Sequence, residues 1–118
     1  MALADVRSAL EGAREVEITV TGRHSGREIT NPVWFVEEGG KLYLVPVRGS
    51  DADWYRNVLT TPTIRLAADG AETTATATPV TDPAKVGEVV EKFRAKYGAD
   101  DVARYYQTPD AAVEVPLA

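Results

Sequence analysis

From Thr21 to Pro32 the chain reads Thr-Gly-Arg-His-Ser-Gly-Arg-Glu-Ile-Thr-Asn-Pro, gathering hydroxyl and cationic side chains around two glycines. Gly22 and Gly26 permit positive φ and close backbone approach. Backbone N–H groups can therefore converge on an anion while Arg23, Ser25 and Arg27 add side-chain donors. His24, the only histidine, sits beside Ser25. A turn offers this pair no third group to orient it, so contact with phosphate or solvent suits the imidazole better than service as a general base. Gly-punctuated turns with exposed arginines also occur where nothing binds, and this stretch alone leaves both readings open. A second cluster follows downstream, Arg48-Gly49-Ser50 and then Trp54-Tyr55-Arg56-Asn57. Trp54 beside that basic loop either covers a ligand or staples its helix.

Bulk properties narrow what these clusters can serve. With 118 residues, 44% of them hydrophobic, the chain suits one core, and a single domain over residues 1–118 is expected. A net charge of −5 and a pI near 4.8 argue against a nucleic-acid surface, which needs a broad basic field. The anion is therefore a small phosphorylated molecule held by a few directed contacts. The chain has no cysteine, which excludes disulfides, thiolate metal sites and a cysteine nucleophile; no metal is expected. No run reaches the roughly 18 apolar residues of a membrane span, and Met1-Ala2-Leu3-Ala4-Asp5 lacks the basic start of a signal peptide. A cytoplasmic location is expected.

The clusters must be held by elements, and the periodicities name them. Leu3, Val6 and Leu10 predict a short helix over residues 2–12. From residue 14 the period becomes two, with Val16, Ile18 and Val20 on one face of a strand that delivers the first turn. Val33-Trp34-Phe35-Val36 reads as a central strand whose aromatics, with Tyr43, are most simply core residues, ring-stacking being the second reading. Gly39-Gly40 then turns the chain into a strand from Lys41 to Val47. A short helix from Asp51 to Leu59 carries the second cluster, with Ser50 as its cap and Asp53 completing a capping box. A strand from Thr63 to Ala68 turns at Asp69-Gly70 into a second arm from Ala71 to Val80. Val86, Val89, Val90, Phe93 and Tyr97 stripe a helix from Asp82 to Tyr97, which opens at Pro83 and stops at Gly98. A short helical piece around Asp100 to Tyr106 and a last strand from Ala111 to Leu117 complete the chain. About six strands joined mostly by hairpins give an α+β, mainly β protein: an antiparallel barrel with flanking helices and a mouth for a flat ligand.

Taken in order, the Thr-Gly-Arg-His-Ser-Gly-Arg turn, Asn31-Pro32, the aromatic-rich strand, Arg48-Gly49-Ser50 and Trp54-Tyr55-Arg56-Asn57 resemble the deazaflavin-dependent nitroreductase family. That family's signature runs Thr-Gly-Arg-x-Ser-Gly, Asn/Thr-Pro, Lys/Arg-Gly-Gly and Trp-Tyr-x-Asn-Leu, so the resemblance spans most of the chain. It implies a split β-barrel related to flavin-binding proteins of the pyridoxamine-phosphate-oxidase kind, with coenzyme F420 as cofactor and FMN as the alternative. By this resemblance Arg23, His24, Ser25, Gly26 and Arg27 contact the cofactor's phosphate and tail carboxylates, while Asn31 and Pro32 border its ring. Arg48 and Gly49 form the second basic loop, and Trp54 and Tyr55 lie near the deazaflavin. The implied reaction is hydride transfer from the reduced cofactor to a quinone, nitro compound or activated alkene. A non-catalytic deazaflavin or FMN carrier is the alternative. No side chain has to act as acid or base, and water, Tyr105, Tyr106 and Tyr97 are the candidate proton donors. The chain departs from the pattern at Ile29, where some members are basic, in a short 49–53 loop, and in a C-terminal region reduced to three tyrosines. Either a monomer or a homodimer accommodates these features.

Overall fold

Alternation of apolar and polar residues sets the first strand, and the sheet grows from it. The computed structural model describes residues 8–10, 13–107 and 109–117. Strand β1 (Glu15–Thr21) buries Val16, Ile18 and Val20 and turns Glu15 and Glu17 outward. Strand β2 (Glu28–Glu38) runs antiparallel to β1 from Glu28 to Trp34, then pairs from Phe35 to Glu38 with β3 (Lys41–Leu44). Next come β4 (Thr63–Ala68), β5 (Ala71–Thr76), β6 (Thr78–Val80) and β7 (Ala112–Pro116). Both two-residue hairpin loops, Gly39-Gly40 and Asp69-Gly70, have positive φ at each position, the geometry whose twist matches the flanking strands.

The strand order is β5-β4-β1-β2-β3-β7-β6, with every pair antiparallel. Strands β5 and β6 lie at opposite ends of that order, yet only Ala77 separates them in the chain. One residue spans about 3.5 Å, so the two ends of the sheet must meet, and the sheet curls into a barrel. The arm expected as one strand over residues 71–80 is therefore two, and the sheet has seven strands where about six were expected. At the corner the buried Ala77 N–H donates to Pro62 O at 2.8 Å instead of joining a ladder.

Helix α1 (Asp53–Thr60) follows a 3-10 turn over Gly49–Asp51; α2 (Pro83–Tyr97) and α3 (Ala99–Tyr105) follow β6. Ser50 is not the cap of α1: the helix begins two residues later, with Ala52 at the cap position and no side-chain cap bond. Ser50 instead donates its hydroxyl to Asp110 Oδ2 at 2.7 Å and its N–H to Asp110 Oδ1 at 2.8 Å. A carboxylate that takes both donors is a stronger partner than a helix N–H. The helix expected over residues 2–12 lies largely outside the described residues; residues 8–10 are helical, and Leu10 is buried in the barrel.

Two apolar cores result. Inside the barrel, Phe35, Leu42, Leu44, Ile64, Leu66 and Val113 pack around Tyr55 and Val58 of α1. Outside it, Val86, Val89, Val90, Phe93 and Tyr97 of α2 cover Val36, Val45 and Ala112, joined by Val102 and Tyr106. Strand β2 is thus buried on both faces around Phe35 and Val36, which explains why its apolar run does not alternate. The whole is an α+β, mainly β split barrel. No helix among the described residues is long and apolar enough to cross a membrane.

Candidate functional site

Strand β3 joins β2 only from Phe35 onward, so among the described residues the edge of residues 28–34 facing away from β1 has no strand beside it. A cavity of about 530 Å³ opens in this split, within the roughly 300–1,000 Å³ of small-molecule sites. Strand β2 contributes Asn31, Pro32, Val33 and Trp34 to its lining, and the segment after β3 contributes Val45, Val47 and Arg48. The start of α1 adds Ala52, Asp53 and Trp54, the end of α3 with the next residue adds Tyr105 and Tyr106, and Glu15 completes it.

Six of the residues singled out in the sequence therefore line one cavity: Asn31, Pro32, Arg48, Trp54, Tyr105 and Tyr106. Arg48 is exposed and has no carboxylate or hydrogen-bond partner among the described residues, whereas Arg56 next door is held by Asp51 at 2.8 Å. Gly49 does not line the cavity; it is buried beneath the loop, its N–H donating to Pro46 O at 3.0 Å. Tyr55 does not line the cavity; it is buried in the barrel core, against which the partly buried Trp54 also packs, and there burial and then the Asp110 charge raise the pKa of its hydroxyl.

The Gly22 to Arg27 turn does not line the cavity, and four of its backbone donors are used within the protein. Gly22 N–H bonds Arg27 O and Gly26 N–H bonds Gly22 O, each at 2.8 Å. Arg27 N–H bonds Ser25 Oγ at 3.2 Å, and Arg23 N–H bonds Asn57 Oδ1 at 3.0 Å. The expected convergence of successive N–H groups on an anion is thus absent at these four positions. A Cβ on Gly22 would stand 2.8 Å from Ser25 Oγ, and Gly26 has φ +71, so both glycines serve the closure of the turn itself. Arg23 is also engaged: its guanidinium donates to Asn57 Oδ1 at 2.8 Å and lies 3.4 Å from Asp53. His24, Ser25, Gly26 and Arg27 stand exposed, and the Arg27 guanidinium has no partner among the described residues.

Sequence reasoning did not give three features the place they have. Asn57, 4% exposed, receives two bonds from Arg23 and ties the turn to α1; its place one helical turn after Trp54 was the available signal. Trp34 is only partly buried and lines the cavity. Its ring stacks on Tyr97 with centroids 4.1 Å apart and planes 10° from parallel, and Tyr105 meets it edge-on at 5.4 Å. Tyr97 is committed to the backbone: its hydroxyl accepts Phe35 N–H at 3.0 Å, and its proton is shared between Phe35 O and Arg14 O, each 2.8 Å away. Burial raises the pKa of this hydroxyl, and that of Tyr106 well above the usual phenol value.

A family model described as an uncharacterized protein conserved in bacteria, DUF2255, matches residues 7–115. No curated protein matches the chain. Among solved structures it is similar to an F420-H2 dependent reductase, FDR-A, at 23% identity over 86% of this chain and 93% of the other, with a TM-score of 0.67. A structure described as a domain-swapped dimer is similar at 23% identity over 86% and 79%, TM-score 0.68. HutZ, the heme storage protein from Vibrio cholerae, is similar at 13% identity over 98% and 90%, TM-score 0.72. At these identities the likeness is one of fold.

Proposed function

The chain belongs to the DUF2255 family, and we propose that it is a deazaflavin-dependent oxidoreductase using coenzyme F420. The observation that carries this reading is the cavity in the barrel split, where an arginine with no partner among the described residues, an amide and an aromatic wall meet. The likeness of fold to an F420-H2 dependent reductase supports it. The donor set fits a flat ring with an anionic tail. Arg48 offers a planar fork to phosphate, Asn31 and Pro32 border the ring, and Trp54 supplies an apolar face with a polar tip. Arg27 and His24, exposed on the neighbouring turn, meet the tail carboxylates. When bound in its reduced form, the cofactor supplies a hydride to an electrophilic acceptor such as a quinone, nitro compound or activated alkene.

The chain's own residues bind and orient rather than react. Tyr106 lines the cavity, and burial raises the pKa of its hydroxyl above the usual phenol value, which makes it a weaker acid than an ordinary tyrosine. Tyr105, 47% exposed at the cavity wall, lies open to solvent, and water is the proton source for the product.

A parallel titration with oxidised coenzyme F420 and FMN, followed by mixing of the reduced form with menadione, tests the reading. Selective deazaflavin binding with accelerated oxidation is expected. Tight binding without acceleration would make the protein a carrier, and binding of neither cofactor would overturn the proposal. Arg48→Ala should weaken deazaflavin binding by about tenfold or more, the value of a charge-assisted bond. Its exposed position keeps the expected stability change within about 0.5 kcal/mol.

A further inference from the structure

The β1/β2 ladder ends at the pair Glu15↔Trp34. One step further, the register would set Arg14 opposite Phe35. A hydroxyl stands there instead: Tyr97 reaches in from α2, accepts Phe35 N–H at 3.0 Å and shares its proton between Phe35 O and Arg14 O. The side chain thus completes a ladder position at the point where β2 leaves β1 for β3. Lys96 Nζ adds a donor to Phe35 O at 2.9 Å and lies 3.5 Å from the Phe35 ring centroid.

The same tyrosine ring is the surface on which Trp34 stacks at 4.1 Å. The Arg14 guanidinium flanks both rings, 5.1 Å from the Trp34 centroid and 5.3 Å from that of Tyr97. One face of Trp34 is therefore backed by a ring that three backbone groups hold in place. We infer that Tyr97 is a positioning residue for the cavity, its hydroxyl fixing the plane of Trp34 against which a flat ligand packs. This rests on the reading of the cavity as a ligand site. The geometry separates two parts of the side chain: the ring supports Trp34, and the hydroxyl holds the ring to β2. Pre-orientation of this kind lowers the ordering cost of binding.

Tyr97→Phe keeps the ring and removes the hydroxyl. In a Trp54→Phe background Trp34 is the sole tryptophan, and acrylamide quenching of its emission reports its mobility without any ligand. The expected results for Tyr97→Phe are stronger quenching and roughly tenfold faster amide exchange at Phe35, as one hydrogen bond contributes. In the otherwise native chain, menadione affinity should fall about two- to tenfold, the range of an aromatic stack, with KM rising and kcat little changed. Lys96→Met, which leaves the hydroxyl in place, should give smaller shifts of the same sign, and it carries the test should Tyr97→Phe fail to fold. Faster exchange at Phe35 with unchanged quenching and affinity would reduce the hydroxyl to a structural staple and overturn the inference. Failure of the native chain to bind menadione or the deazaflavin would sink the cavity reading; the quenching result would still decide whether Tyr97 orients Trp34.

Discussion

Asn57 accepts two hydrogen bonds from a residue 34 positions away, and removing it exposes how the turn is held. Asn57→Ala removes the acceptor of the Arg23 N–H and leaves the guanidinium only its longer contacts with Asp53, beside a site only 4% exposed. The expected loss is about 1–3 kcal/mol, checked by urea unfolding. Arg23→Ala should destabilise in the same direction, because its side chain is only 22% exposed and is bonded to α1. Arg27→Ala should leave stability within about 0.5 kcal/mol. Sequence reasoning treats the two arginines as equals on an exposed turn; they differ because only one reaches a partner across the fold.

Among the elements, the loop bearing Arg48 is fixed by a partner from the far end of the chain. Asp110 receives the Ser50 hydroxyl and N–H, and these bonds, the hydroxyl first, hold its carboxyl below the usual carboxylate range. A depressed folded-state pKa contributes stability above the unfolded value of about 3.9 and loses it as pH falls through the lower folded value. Ser50→Ala and Asp110→Ala are each expected to cost about 0.5–1 kcal/mol at pH 7, since the pair is exposed. Their coupling in a double-mutant cycle should weaken once Asp110 is protonated, well below pH 4, because the neutral carboxyl still accepts but loses its charge. Equal coupling at pH 7 and pH 2 would show that the carboxylate charge adds nothing to the clamp. For α1 itself, Ser50→Ala should remove no cap, because the helix starts at Asp53.

For the molecule as a whole, barrel closure depends on one small residue. Ala77 is 3% exposed and joins strands from opposite ends of the sheet order. Ala77→Leu overfills that corner and should cost about 1–3 kcal/mol in chemical unfolding. A variant as stable as the native chain would show that the seam has room to spare. The same closure leaves one edge of β2 without a strand among the described residues, and the cavity opens there.

Local pattern was enough for much of this protein. Period-two burial at Val16, Ile18 and Val20, the Gly-Gly and Asp-Gly hairpins, and the Val86 to Tyr97 stripe depend on neighbours within a few residues, and the structure carries each of them. The barrel class followed from strands joined by hairpins, and six cavity residues were legible because they cluster in two short motifs and one tyrosine pair. Other features depend on groups 15 to 83 positions apart, which no periodicity encodes. Tertiary structure alone decided that Ser50 serves Asp110, that Arg23 serves Asn57, that Ala77 splits an arm in two, and that Tyr97 completes a ladder. The physical reason is common to all four: a backbone or side-chain donor takes the strongest acceptor within reach, and only the folded chain determines what lies within reach.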